Sequence, residues 1–356
     1  MNSTEQTLQH LAKILNFENN AKALQKAIQT NEIDWEAVIA FGSNHLVIPT
    51  LYSRLCSKGL LKDLPEDLYQ YQKYIYDLNL ERNKALLQEV HMINNWFNQA
   101  DIPHVFLKGA AMIASDYYNN IGERMLGDID VLVPKHLCQK AFDLLLSKGY
   151  NYAKTPTINP KYFEDKHLLR LASEAFLGAV EIHFKLLDTD QDILQPQAVL
   201  DERILTKNTN IPIPCTKHLL IHNVLNFQVN DLGSYYNFIG LKNVYDTLVL
   251  LPHVSEPEHK YALSNKHIVN NFNLGRLYFN VFPKPKTTAL LKLKAKVYRL
   301  KNRYPKFRTL HYKTLSYLQL SQLLSHRIWF FIKNKHYRTD VLNDRKRILK
   351  FIKSKL

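Results

Sequence analysis

The chain changes texture twice. In its first hundred residues, apolar side chains recur at three- and four-residue spacing, as in "TEQTLQHLAKIL" and "AKALQKAIQ", and "DWEAVIAFGSNHLVIPTLYSRL" adds two more such segments. That is the period of helices burying one stripe. Pro65-Glu66-Asp67 opens a long helical pattern over residues 65–99, with the proline and acids that suit a helix start. Between residues 101 and 190 the period shortens. "HVFLKG" and "DIDVLV" read as short strands, separated by a three-turn helix "AAMIASDYY" and a loop "NNIGERMLG"; "KHLCQKAFDLLLSKG" is helical again. "HLLRLAS" and "AFLGAVEIHFKLL" alternate like a hairpin turned near Glu174. Beyond residue 195, "CTKHLLIHNVLNFQ" and "GLKNVYDTLVLL" return to helical spacing. The expected fold is α+β: a small mixed-sheet core over 101–190, flanked by helical regions over 1–100, 191–280 and 281–356.

One strand does not fit a plain core. "GERMLGDIDVLV" places Asp128 and Asp130 one residue apart in a run otherwise made for burial. Residues i and i+2 of a strand share a face, so the two carboxylates project side by side while Ile129 points the other way. Adjacent carboxylates repel unless a cation or donor neutralises them, and a hard divalent ion takes oxygen ligands of this kind. "AVEIHFKLL" supplies a third acid: Glu181, His183 and Lys185 alternate with Val180, Ile182 and Phe184, so Glu181 sits at the centre of another core-like strand. Three acids brought together without metal would leave at least one carboxyl above its ordinary pKa. Of only ten glycines, Gly109, Gly122 and Gly127 cluster around this region. Gly109 stands where "HVFL" passes into a helix, a place where backbone N–H groups can meet an anion, and Lys108 stands beside it.

Composition narrows the class. With 46% hydrophobic and 22% charged residues, 356 residues are those of a globular protein able to bury a core. The three cysteines are widely spaced and form neither a disulfide framework nor a zinc pattern, and the N-terminus lacks the layout of a signal peptide, so a cytoplasmic location is expected. The net charge of +15 is uneven. Residues 281–356 hold 21 Lys/Arg and two acids, a net +19, whereas the first 280 residues, with 26 basic and 30 acidic, sum to −4. The asymmetry points to an anionic partner for the C-terminal region, either a membrane surface approached peripherally or a nucleic acid.

The ordered set "VFLKGAAMIA", "ERMLGDIDVLV" and "VEIHFKL" resembles the uncharacterised bacterial nucleotidyltransferase family of the DNA polymerase β superfamily. Weaker echoes run from "DWEAVIAFGSNHLVIPTLYSRL" to "LKNVYDTLVLL", so the resemblance spans roughly residues 30–255. It implies a Mg²⁺-dependent enzyme, with Mn²⁺ as an alternative ion, that moves a nucleoside monophosphate from an NTP donor to a hydroxyl or phosphate acceptor the sequence does not identify. By the resemblance, Asp128 and Asp130 are metal ligands, and Glu181 activates the attacking hydroxyl or joins the metal site. Gly109 lines the phosphate-binding turn with Lys108, Arg124 meets a phosphate through its planar fork, and His183 contacts substrate. The wider superfamily carries Gly-Ser at the turn, whereas this chain has Lys108-Gly109-Ala110, with no hydroxyl after the glycine. Two other readings compete. A glycosyltransferase would use the D-x-D but expects a larger α/β domain ahead of it. A degenerate nucleotidyltransferase fold would act as a binding module without catalysis.

Overall fold

A computed structural model describes residues 4–153, 162–163, 165–189 and 192–355; the core boundary expected at residue 190 lies outside them. Seven short strands are described: β1 (Val105–Phe106), β2 (Asp128–Leu132), β3 (Asn151–Tyr152), β4 (Leu171–Ala172), β5 (Ala179–His183), β6 (Ile204–Leu205) and β7 (Pro212–Ile213). Five of them form one sheet in the order β1-β2-β5-β4-β3, and β6 and β7 pair separately. β2 and β5 run parallel, while β1 pairs β2, and β4 pairs β5, antiparallel. The sheet is therefore mixed, and the fold is α+β.

Pleating divides the central strands into two faces. Ile129, Val131, Val180 and Ile182 are buried on one side, where the helix Cys138–Ser147 packs against β5. Asp128, Asp130, Glu181 and His183 occupy the other. β4 and β5 form the hairpin expected around Glu174, with Leu171 opposite Val180. The three-turn helix expected over "AAMIASDYY" is shorter, Lys108–Ala114. Ser115 leaves the helix in extended conformation and its hydroxyl donates to the Met112 carbonyl at 2.8 Å. This frees Tyr118 to turn inward and donate to Asp246. β3, β6 and β7 were not expected.

Helices enclose this sheet. The 34-residue helix Glu66–Gln99 carries Leu86, Val90, Ile93 and Phe97 into the interior. One continuous apolar core extends from Leu8 to Tyr298, so the start of the basic C-terminal region is structural. Within the helix Ala289–Arg303, Leu291 and Tyr298 are buried. Lys301 Nζ donates to the carbonyls of Tyr236 and Asn237 at 2.6 and 2.7 Å.

His45 joins the N-terminal helices to the segment that faces the sheet. Its ring stacks against Phe41 and Phe238, and Nδ1 accepts the Leu241 N–H at 3.2 Å, at the start of the helix Leu241–Leu250. Burial lowers its pKa to about 4, as it does for His104. The unfolded chain binds the proton near 6.5 and the folded chain resists until about 4, so stability is full above pH 6.5 and declines as the pH falls towards 4. Each ring contributes up to about 3 kcal/mol to that loss. Thermal melts between pH 7 and 4.5 should show a falling Tm, with a shallower slope in His45→Phe, which keeps the stack but cannot protonate. An unchanged slope would exclude His45 as a source.

Candidate functional site

Register brings the acids together. In the parallel pair, Asp128 lies opposite Ala179 and Asp130 opposite Glu181, on the pleat face that the helical region covers. Ligand atoms of Asp130, Glu181 and His183 come within 4.8 Å of one another. Asp128 stands two residues upstream on the same face, close enough to feel the charges of Glu181 and Asp130.

Each carboxylate has a basic side chain beside it. Lys108 Nζ lies 2.6 Å from Asp130 Oδ1, and His183 Nε2 is 2.8 Å from the same oxygen. Arg170 pairs with Asp128, and His167 and His183 each approach Glu181 Oε2 at 3.6 Å. Burial pushes the Asp130 carboxyl up, but Lys108 and the His183 hydrogen bond outweigh it and hold it well below the ordinary carboxylate range. Glu181 is likewise lowered, burial being outweighed by His183 and His167. Asp128 goes the other way: burial raises it, Arg170 only partly offsets that, and Glu181 and Asp130 add repulsion. It is the acid with the raised pKa that three clustered carboxylates require. Burial disfavours the His183 cation, yet its bonds to Asp130 and Glu181 raise its pKa. Its Nδ1 also lies 3.3 Å from the Lys185 carbonyl, so both ring nitrogens face oxygen.

The acids open into a cavity of about 350 Å³. Lys108, Gly109, Arg124, Asp128, Asp130 and Glu181 line one side; His183 lies behind Asp130. The opposite wall comes from the helical region: His222, Asn223, Asn226, Asp231, Lys242 and Asn243. Burial and the Arg124 charge disfavour the Lys242 cation. These residues escaped sequence reasoning, although Lys242 and Asp246 gave a signal, standing four residues apart on one face of an apolar helix.

Two expected site residues also have a structural task. Gly109 sits in the first turn of the helix Lys108–Ala114, where a Cβ would overlap Leu126 and the Arg124 guanidinium. The left-handed backbone falls on Lys108, at φ 48°, a conformation uncommon for a residue with a side chain. Arg124 was expected to offer its fork to a phosphate. Here that fork is engaged by Asp246: Nε and Nη2 donate to its carboxylate at 3.0 and 2.8 Å, with Arg124 6% and Asp246 1% exposed. Arg124 thus fastens the loop before β2 to the helix Leu241–Leu250.

A mixed sheet with paired aspartates on one strand and a third acid on its parallel neighbour puts the protein in the nucleotidyltransferase class. The chain belongs to the uncharacterised nucleotidyltransferase family, whose model matches residues 31–278. Among solved structures it is similar to an antigenic nucleotidyltransferase-like protein from Paracoccidioides brasiliensis. The identity there is 15% and the TM-score 0.38, over 58% of this chain and 96% of that one. No curated protein matches it.

The buried ion pair sets an expectation. Removing one partner leaves an uncompensated interior charge, which costs about 3–5 kcal/mol. Arg124→Met and Asp246→Leu should each lower the urea midpoint strongly, and the double variant should be more stable than either single. Additive losses would show that the two charges do not compensate each other.

Proposed function

We propose that the protein is a Mg²⁺-dependent nucleotidyltransferase that also accepts Mn²⁺. It moves a nucleoside monophosphate from an NTP to a hydroxyl or phosphate acceptor. The observation that carries this reading is the convergence of Asp128, Asp130 and Glu181 on one pleat face at the mouth of a cavity walled by Lys108 and Lys242. The donor set fits the ion, since hard divalent cations favour carboxylate oxygens. Asp128 and Asp130 would hold it, with Glu181 as third ligand or as base. Bound there, the ion would neutralise charge on the phosphates.

The residues of the chain do the rest. The cavity holds donor and acceptor side by side, so the protein contributes chiefly position and charge compensation. Glu181 takes the proton of an acceptor hydroxyl as its oxygen bonds to the α-phosphorus, and the bond from that phosphorus to the bridging oxygen breaks, releasing pyrophosphate. Lys108 lies between Asp130 and the cavity, so its ammonium can pass from the carboxylate to a phosphate. It supplies as a charge what a serine hydroxyl supplies as a hydrogen bond. Lys242 meets the phosphates from the opposite wall. We place the protein at an anionic partner through its basic C-terminal region.

One observation favours a second reading, a binding module without catalysis. Lys108 already pairs with Asp130, with His183 hydrogen-bonded to the same oxygen, and Ala110 offers no hydroxyl.

Pyrophosphate release across a panel of NTPs separates the two. Wild-type protein should release it only with Mg²⁺ or Mn²⁺, and Asp128→Asn should reduce the rate at least about 10²-fold. The ions should raise the Tm of the wild type by linkage and not that of Asp128→Asn. Asp130→Asn should lower the metal-free Tm, because Lys108 loses its counter-charge. No release with any NTP, together with a Tm indifferent to both ions, would leave the binding module.

A further inference from the structure

The helix Pro305–Lys333 is 29 residues long, and its apolar side chains divide between two opposite faces. One face meets the body. Leu320 is buried on it, Tyr312 stacks on Tyr236, and Phe330 packs on Phe163. At 3.6 residues per turn, Phe307, Leu310, Tyr317, Ile328, Trp329 and Ile332 gather within about a third of the circumference, on the side turned away from that contact. They are exposed: Leu310 65%, Ile328 56%, Trp329 60% and Ile332 64%. The small polar residues Thr314, Ser321 and Ser325 interrupt the stripe, and His311 stands at its margin, in one column with Trp329.

Its borders carry one sign of charge. Helical position puts Lys306 and Lys313 along one edge and Arg308 and Lys333 along the other. No Asp or Glu occurs anywhere between Glu258 and Asp340. Whatever covers this face must therefore be apolar at its centre and anionic at both rims. A second copy of the chain fails that requirement, because two such stripes face to face would bring lysines and arginines together with no acid between them. A nucleic acid fails it differently, since the outermost line is apolar and the charges lie to its sides. An anionic bilayer meets both demands, with lipid phosphates above a hydrocarbon boundary. No helix among the described residues is long and apolar enough to cross a membrane.

We propose that this face is a peripheral membrane-binding surface. Phe307, Leu310, Trp329 and Ile332 enter the boundary between headgroups and acyl chains, and the flanking lysines and arginines meet lipid phosphates. The helix lies along the bilayer plane. This surface is independent of the acidic cavity and of the reaction proposed for it.

Full-length protein is mixed with phosphatidylcholine vesicles, with and without phosphatidylglycerol, and co-sedimentation is measured over a range of salt. The protein should bind the anionic vesicles, weaken with salt, and barely bind the neutral ones. Each of Leu310→Ser, Ile328→Ser and Ile332→Ser should weaken binding on the order of tenfold; because these side chains are exposed, the wild-type Tm should persist. Difference fluorescence against Trp329→Phe should show Trp329 emission shifted to the blue on binding and quenched by brominated acyl chains. Vesicle binding that the serine triple variant retains in full would overturn the proposal, since charge alone would then suffice. So would absence of vesicle binding, whether the face instead dimerises, losing that dimer in the triple variant, or binds a nucleic acid duplex.

Discussion

Three carboxylates on one pleated face repel one another, and the rest of the site is arranged around that repulsion. The parallel register of β2 and β5 creates the problem by setting Asp130 opposite Glu181. Each solution comes from a different part of the chain. Lys108 reaches Asp130 from the turn after β1, His183 from β5 itself, and Arg170 meets Asp128 from just before β4. The compensation is unequal. Asp130, nearly enclosed, has the Lys108 ammonium and the His183 ring as partners, while partly exposed Asp128 has Arg170, which only partly offsets the burial that raises its pKa. Asp128 is thus the acid with most to gain from a further cation. It is also the most exposed of the three.

The cavity exists only because two parts of the fold are held against each other. Its floor is the sheet and its roof is the helical region bearing His222, Asn226 and Lys242. Between them, Arg124 and Asp246 form a dry, bidentate pair joined by the Tyr118 hydroxyl. A bond of this kind is weak evidence for net stability, yet it is specific, because any other placement of the helix would strand a buried charge. Gly109 belongs to the same joint: without a side chain it lets the turn carrying Lys108 lie against Arg124 and Leu126. The phosphate turn expected at this glycine and the arginine expected at a phosphate are two halves of one packing contact.

The difference marks where sequence reasoning ended. The acids were legible because strand periodicity is local: with period two, Asp128 and Asp130 must share a face, and Glu181 must sit mid-strand wherever that strand pairs. The parallel pairing itself was not legible, being set by a connection of nearly fifty residues. Arg124 shows the limit most clearly. Its partner lies 122 positions away, and no spacing rule reports on a contact that distant. Arg170 and His167 were hidden for a related reason: a two-residue strand beside them leaves too little alternation to say which way each points. The long helix Glu66–Gln99 read well because its apolar period runs for many turns.

The C-terminal region applies the same physics to a surface. Its charge points to an anionic partner, yet its first helix has Tyr298 in the core and gives Lys301 two backbone carbonyls as partners. Positive charge is therefore not what keeps this region outside. The division falls within the next helix, where Tyr312 and Phe330 on one face match Tyr236 and Phe163, and the apolar stripe on the other matches nothing among the described residues. An apolar stripe left in water is unfavourable in proportion to its area. The bordering cations make self-association of that stripe unfavourable as well, since like charges would meet across it and the helix itself carries no acid. A surface that resists both water and its own copy is stable in solution only as a compromise. It gains most from a partner that supplies hydrocarbon and negative charge at once.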